Sequence, residues 1–286
     1  MKKLLLALCI FISFASYVKA DITGWWYDPA APGTGISVEE YAGKIFLAVY
    51  TFDSQWDHSH WEYWVSSGAV MTEADPKKFS GNLSLWTDPG ANFGADFRNY
   101  PASPEPQDVG SIEIEVQDES HLSCDMTIDE QKVHVNLEKF MPQVAPGEPD
   151  NRIIGWWYDP AHPGVGFFLE ARGGTLFGAW YYYRCRAYTG LHESRKIFDN
   201  KSRYSSRPAW LTFSGNFSLG ATTFSAPFIN WYGGSSFGSS QYHGPGHNQS
   251  RYYSVKLTLQ DTHHIFLEVF DEGQRALSYN LIRFSY

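Results

Sequence analysis

The sequence predicts an all-β protein built as two tandem antiparallel up-and-down barrels of about eight strands each. Two observations lead to this prediction. One sequence segment occurs twice, 131 positions apart, and short strand-like segments punctuated by Gly and Pro turns run through both halves of the chain. A repeat period this long indicates one whole domain per copy and not a solenoid.

The repeated segment opens each half of the chain. The first copy reads Gly24-Trp25-Trp26-Tyr27-Asp28-Pro29, followed by Pro32, Gly33, Gly35 and Glu39. The second copy reads Gly155-Trp156-Trp157-Tyr158-Asp159-Pro160, followed by Pro163, Gly164, Gly166 and Glu170. Later matches, Phe79–Leu85 with Phe213–Leu219 and Leu137–Phe140 with Leu281–Phe284, extend the repeat over the full domain.

Residues 1–20 have the pattern of a secretory signal peptide. Lys2 and Lys3 precede an apolar run over 4–14, and small residues at 18–20 offer a cleavage site. We therefore expect an exported protein, periplasmic or secreted. Removal of this segment leaves 19 basic against 31 acidic residues, a net charge near −12, which argues against nucleic acid as a partner. Later segments are too short in their apolar runs to predict a membrane-embedded protein.

The remaining chain divides into residues 21–141, a linker at 142–152 and residues 153–286. The linker is rich in proline and acidic residues, which is typical of a connection between domains. Each copy retains one cysteine, Cys124 and Cys185. In an oxidising compartment the two could form one disulfide between the copies, or they could be two buried free thiols.

Strand signals dominate both copies, whereas a helical period with caps is lacking. The predicted strands are rich in β-branched and aromatic residues: Ile45–Phe52, Ser111–Val116, Val133–Leu137, Leu176–Tyr183, Val255–Leu259 and Ile265–Phe270.

One hairpin in each copy can be read residue by residue from its turn, Ala42-Gly43 or Gly173-Gly174. The first copy then pairs Glu39 with Phe46, Ser37 with Ala48 and Gly35 with Tyr50. The second pairs Glu170 with Phe177, Phe168 with Ala179 and Gly166 with Tyr181. Residues opposite one another share a face. The other face of each hairpin is apolar.

The Glu/Phe/Tyr face predicts a ligand site in each copy, because a carboxylate among aromatic rings can anchor a ligand in an apolar pocket. The predicted ligand-binding residues are Glu39, Phe46, Tyr50, Glu170, Phe177 and Tyr181. The alternative is a carboxylate satisfied by tyrosine hydroxyls, by the main chain or by solvent.

The first and last strands carry a further pattern, Gly24-x-Trp26 with Lys139 and Gly155-x-Trp157 with Arg283. This pattern resembles the signature of the calycin superfamily, which includes lipocalins, fatty-acid-binding proteins and avidin-like barrels. The resemblance implies calycin-like barrels in which Lys139 covers Trp26 and Arg283 covers Trp157. The string Gly-Trp-Trp-x-x-Pro-x-x-Pro-Gly-x-Gly also resembles a repeat of exported bacterial proteins of unknown function, which implies no activity.

Motifs for catalysis are weak. Asp28 and Asp159 precede proline and predict Asx turns in preference to catalytic carboxylates. We predict no cofactor, no metal site and no catalytic residue. A glycan hydrolase would need two carboxylates in one cleft, for instance Glu39 with Glu40, Asp53 or Asp57.

The insertion Arg184–Arg207 carries seven Lys/Arg residues against Glu193 and Asp199. It predicts a positive loop that could meet an anionic partner, although most charge runs are solvated surface.

The leading functional hypothesis is an exported, non-catalytic binding protein with aromatic-lined pockets for a saccharide or a small amphipathic ligand. The alternatives are a structural or protein-interaction module with solid barrels and, less favoured, a secreted glycan hydrolase. Filled barrel interiors would favour the module, and open cavities would favour the binding protein.

Overall fold

The computed structural model of the chain describes residues 21–41, 44–52, 62–67, 71–75, 77–87, 105–128, 130–162, 164–184, 207–237, 239 and 242–284. The predicted signal peptide, the Ala42-Gly43 turn, Asp53, Asp57, Cys185 and residues 185–206 of the basic loop lie outside these described residues.

The first copy forms a nine-stranded antiparallel sheet. Its strands are β1 (Gly24–Tyr27), β2 (Gly35–Tyr41), β3 (Lys44–Phe52), β4 (Glu62–Ser67), β5 (Met71–Asp75), β6 (Lys78–Thr87), β7 (Glu105–Val116), β8 (His121–Ile128) and β9 (Gln131–Lys139). Pairing of β2 with β3 closes the sheet into a barrel. Strands β4 and β5 each pair with part of β3 and part of β6, so together they fill one wall position. The wall therefore has eight positions.

The second copy is a closed eight-stranded barrel that follows a short helix, α1 (Met141–Val144). Its strands are β10 (Gly155–Tyr158), β11 (Gly166–Arg172), β12 (Thr175–Arg184), β13 (Arg207–Asn216), β14 (Thr223–Tyr232), β15 (Gly246–Leu259), β16 (His264–Asp271) and β17 (Gln274–Arg283). Neighbouring strands are antiparallel throughout. The predicted fold of two tandem antiparallel barrels is confirmed.

The predicted hairpin registers are also confirmed. Strands β2 and β3 pair Glu39 with Phe46 and Gly35 with Tyr50, and β11 and β12 pair in the corresponding register, with Glu170 opposite Phe177. Successive residues of a strand point to opposite faces. The apolar face of each hairpin packs in the barrel core, as Val38 and Leu169 do, so the Glu/Phe/Tyr face lies on the outside of each barrel.

Both barrel interiors are packed with buried side chains, but of different kinds. The first interior is mainly aliphatic and includes Ile36, Val38, Leu47, Val49 and Leu83. The second is mainly aromatic and includes Phe167, Trp180, Tyr182, Phe213 and Phe228. Within it, the rings of Trp180 and Tyr182 stack with centroids 4.6 Å apart.

A tryptophan under a cation ties the first strand of each barrel to the last. Lys139 Nζ lies 5.4 Å from the ring centroid of Trp26, and the Arg283 guanidinium lies 5.5 Å from that of Trp157. Each indole Nε1 also donates to the carbonyl of the residue four positions earlier, at 2.8 Å. These two cation–π pairs, which the calycin resemblance implied, are thereby confirmed and contribute about 0.5–2 kcal/mol each.

One sequence match between the copies proves wrong. Phe79 lies on β6, which pairs with β7, whereas Phe213 lies on β13, one wall position earlier, which pairs with β12. The equivalent of β6 is β14, since Trp86 Nε1 donates to Ser66 Oγ and Trp231 Nε1 to Thr212 Oγ1, both at 2.7 Å. A Phe-Ser-Gly string suits any wall strand whose phenylalanine points inward, so it cannot identify one strand.

The structure also describes the two Asp-Pro turns and one of the two cysteines. Asp28 Oδ1 accepts from the N–H of Ala30 at 2.8 Å, and Asp159 Oδ1 from that of Ala161 at 2.9 Å, which are the expected Asx turns. Cys124 is a free thiol buried in the first barrel, where burial raises its pKa. No helix within the described residues has the length and apolar character needed to cross a membrane.

Candidate functional site: the seam between the barrels

The predicted ligand-binding faces of the two copies lie against each other. Glu39 Oε2 accepts from the main-chain N–H of Trp156 at 2.7 Å, and Glu170 Oε2 accepts from that of Trp25 at 3.1 Å. Each barrel thus supplies one carboxylate that is hydrogen-bonded to the first strand of the other barrel. We call this contact region, where β1–β3 meet β10–β12, the seam.

The glycine before each of these tryptophans makes room for the opposite carboxylate. A Cβ atom on Gly24 would lie 2.9 Å from Glu170 Oε2, and a Cβ atom on Gly155 would overlap Glu39 Oε1. Both glycines have positive φ angles, 139° and 126°, which disfavour other residues. Gly24 therefore fits against Glu170, and Gly155 fits against Glu39 in the same way. The repeated segment carries both the glycine and the glutamate, so the same contact forms twice.

Both carboxylates are buried, Glu39 at 7% exposure and Glu170 at 0%. Burial raises the pKa of Glu39 to about 7, although the N–H of Trp156 and the charge of Arg283 act to lower it. Burial also raises the pKa of Glu170, against the opposing effects of Arg172 and of the Trp25 N–H. Arg283 Nε lies 3.7 Å from Glu39 Oε1, and Arg172 Nε lies 3.2 Å from Glu170 Oε1.

Edge-to-face aromatic contacts fill the space around the carboxylates. The Trp25 ring lies 5.0 Å from the rings of both Phe168 and Phe177. The Trp156 ring lies 5.2 Å from Phe46 and 5.3 Å from Phe168. Phe168 therefore contacts both tryptophans, and such pairs are worth about 0.5–1.5 kcal/mol each beyond the area that they bury.

The tyrosine hydroxyls of the seam are also engaged. Tyr181 OH and Ser37 Oγ, one from each barrel, lie 2.9 Å apart. Tyr50 OH donates to the carbonyl of Trp26 at 3.0 Å, so its ring lies over the bare backbone of Gly35, where a Cβ atom would overlap it. Burial raises the pKa of both tyrosines.

A row of four rings leads outward from each tryptophan of the seam. One row runs Trp25, Phe177, Phe140 and Tyr27, with centroid distances of 5.0, 5.2 and 5.7 Å. The equivalent row runs Trp156, Phe46, Phe284 and Tyr158, with distances of 5.2, 4.8 and 5.6 Å. Their repetition shows that the seam has approximate two-fold symmetry.

A loop of the second barrel also covers the first. Phe237, in the loop between β14 and β15, is only 5% exposed and packs into the core of the first barrel. Its main-chain N–H donates to Thr51 Oγ1 at 3.1 Å, and Tyr242 OH donates to the carbonyl of Pro32 at 2.8 Å. The Gly/Ser-rich composition of this loop gives no sign of these contacts.

The structure brings all six predicted ligand-binding residues together in the seam, where they form one site instead of two. Each glutamate is satisfied by the main chain, as the alternative interpretation proposed, but that main chain belongs to the other barrel. Sequence reasoning missed the partner. The available signal was that both faces of each hairpin are apolar or aromatic, which indicates burial on both sides.

Two of the acidic residues named as possible catalytic partners of Glu39 cannot be compared with the seam. Asp53 and Asp57, proposed as carboxylate partners of Glu39, lie outside the described residues. Within the described part of the chain, the histidines, cysteines and acidic residues form no group of three or more that could hold a metal ion.

Comparisons with protein-family models, with curated proteins and with solved structures find no match for this chain.

Proposed function

We propose that the protein is an exported, non-catalytic interaction module, in which two solid barrels are fastened into one body that meets its partner with its outer surface. This was the alternative to a pocket for a saccharide or an amphipathic ligand. The seam then has a structural role, and the protein binds its partner through surfaces that lie away from the seam.

The main support for the proposal is that the side chains expected to hold a ligand make contacts between the barrels instead. In addition, both barrel interiors are filled by side chains. Trp26 and Leu47 in the first barrel and Phe167 and Leu169 in the second are all 0% exposed. Interiors filled by fully buried side chains leave little room for a saccharide.

The outer face of β7–β9 is a candidate contact surface in the first barrel. Glu113, Asp125 and His134 form an exposed row across these strands, with Glu115 one step along β7. Glu113 and Asp125 are directly opposed acidic residues, and His134 Nδ1 lies 2.8 Å from Asp125 Oδ1. A partner with a basic surface would complement the acidic residues of this row.

A second candidate function, ligand binding inside the second barrel, is favoured by a difference between the copies. Trp180 Nε1 and Tyr279 OH are buried at 1% exposure and have no hydrogen-bond partner among the described residues. The equivalent positions in the first barrel are Val49 and Val135, whose side chains carry no polar atom to satisfy. Two unmatched donors would suit a small ligand that carries hydrogen-bond acceptors.

The substitution Tyr279→Phe separates the two functions by the sign of its effect on stability. A buried hydroxyl without a partner costs about 1–3 kcal/mol. The solid-barrel proposal therefore predicts that Tyr279→Phe raises the free energy of unfolding by about 1 kcal/mol, measured by urea denaturation. The exposed Tyr232→Phe is the control and should change stability by less than about 0.5 kcal/mol.

A thermal-shift screen of saccharides and small amphipathic molecules on the wild-type protein completes the test. The proposal predicts no saturable stabilisation. Saturable binding that Tyr279→Phe or Trp180→Phe weakens would contradict the solid-barrel proposal and support the second candidate.

A further inference from the structure

The seam holds two ionisable groups in an environment that penalises their charge. Glu39 and Glu170 are each more than nine-tenths buried, and each accepts a hydrogen bond from the main chain of the opposite barrel. Opening of the seam would return both carboxylates to water. Their protonation is therefore linked to the contact between the barrels.

The nearby cations offset this cost only in part, since the pKa of both carboxyl groups stays raised beside them. These cations also donate to main-chain carbonyls. The Arg283 guanidinium donates to the carbonyls of Ile154 and Asn151, and Lys139 Nζ donates to the carbonyl of Asp21 at 3.0 Å. Arg172, beside Glu170, also donates to the carbonyl of Gly147, at 2.6 Å.

The charged groups that face the two carboxylates come from four elements. They are Asp21 on the segment before β1, Lys139 on β9, Arg172 on β11 and Arg283 on β17. The facing hydroxyls of Tyr50 and Tyr181 have pKa values raised by burial, so they stay neutral at neutral pH.

A neutral carboxyl group can keep the essential contact. Its carbonyl oxygen still accepts the N–H of Trp25 or Trp156, while the cost of burying a negative charge is removed. The protonated seam thus keeps its main-chain hydrogen bonds, gives up the ion pairs of Glu170 with Arg172 and of Glu39 with Arg283, and no longer bears the cost of burying two negative charges.

We propose that the seam is a pH-sensitive latch, in which protonation of Glu39 and Glu170 tightens the contact between the barrels and deprotonation loosens it.

The pKa shifts give the sign and the pH window. The pKa of Glu39 rises from 4.5 to about 7 in the closed seam, and that of Glu170 is also raised. The closed form therefore binds more protons than the open form. The stabilisation that Glu39 contributes to closure is fully present below about pH 4.5 and is lost as the pH rises through about 7. Glu170 contributes with the same sign, because its pKa is also higher in the closed form.

Hydrogen exchange of the full-length mature protein, followed by mass spectrometry from pH 5 to pH 8, measures this linkage. Protection factors, which correct for the intrinsic exchange rate, are compared for peptides covering β1 and β10 and for β8, which lies away from the seam. We expect protection of the seam peptides to fall at least about tenfold relative to β8. A constant ratio would overturn the proposal.

The double variant Glu39→Gln, Glu170→Gln provides the second arm, because glutamine keeps an acceptor oxygen and cannot ionise. In this variant, the hydrogen-exchange protection of the seam peptides should be independent of pH. The matched exposed variant Glu113→Gln, Glu115→Gln should show the same pH dependence of seam protection as the wild type. A pH dependence that survives in the seam double variant contradicts the latch. If that variant does not fold, the wild-type series alone decides.

Discussion

At the residue scale, the two barrels are fastened by a contact between a glutamate and a glycine-tryptophan pair. Glu39 fills the space over Gly155 and accepts from Trp156, and Glu170 does the same over Gly24 and accepts from Trp25. Each copy carries both halves of the contact. A duplicated sequence can therefore fasten to itself without a dedicated interface in either copy.

Replacement of the glycine at this contact should be costly. We predict that Gly155→Ala lowers the free energy of unfolding by about 3 kcal/mol, because the Cβ atom adds strain at a positive φ and displaces the Glu39 carboxylate. Denaturant unfolding followed by tryptophan fluorescence measures it.

Gly220→Ala is the matched control for Gly155→Ala. Gly220 also has a positive φ, 87°, but a Cβ atom added there would meet no atom of the described residues within 4 Å, apart from its chain neighbours. The substitution should cost only the backbone strain, about 1–2 kcal/mol. Equal losses for the two variants would show that the carboxylate contact contributes nothing.

At this scale the sequence predicted pairings within a copy better than contacts between copies. The registers of Glu39 with Phe46 and of Glu170 with Phe177 follow from turn geometry and strand periodicity, which are local. The partner of each glutamate depends on how two closed surfaces meet. The local sequence pattern does not show how the two barrels pack against each other. The two glutamates were therefore predicted to anchor a ligand, although in the structure they bind the main chain of the opposite barrel.

At the scale of elements, the loop between β14 and β15 joins the barrels a second time. Phe237 is buried in the first barrel, although its strands belong to the second. The loop therefore acts as a strap over the end of the first barrel where Thr51 lies.

We predict that Phe237→Ala destabilises the protein by about 3–4 kcal/mol, since truncation of a buried phenylalanine removes its apolar contacts and leaves a cavity. Hydrogen exchange should increase in β2 and β3 of the first barrel more than in β16 of the second. Tyr242→Phe, in the same loop, removes one exposed hydrogen bond to Pro32 and should cost under about 1 kcal/mol. Equal exchange changes in β3 and β16 would argue against the strap.

Element prediction succeeded where composition and periodicity were strong and failed where short strings were compared. Strands such as Ile45–Phe52 and Val255–Leu259 lie within β3 and β15. The Phe79 and Phe213 strings match in letters but occupy different wall positions, because inward aromatic and small residues alternate on many strands. The Gly/Ser-rich composition of the β14–β15 loop likewise gave no sign of the Phe237 contact.

At the scale of the whole molecule, the two barrels share contacts in the seam and under the strap. Ring contacts such as Trp25 with Phe168 and Tyr50 with Trp210 cross between the barrels, as do the two carboxylate contacts. Two domains that bury charged and aromatic groups against each other should unfold together, because either barrel alone would leave these groups exposed.

Differential scanning calorimetry of residues 21–286 tests this most directly. We predict one cooperative transition for the wild type and two transitions for Glu39→Ala, Glu170→Ala, which leaves the N–H groups of Trp25 and Trp156 without acceptors. The exposed control Glu113→Ala, Glu115→Ala should keep one transition. Two independent transitions in the wild type, or an unchanged single transition in the seam variant, would contradict the claim that reciprocal carboxylates fasten the barrels.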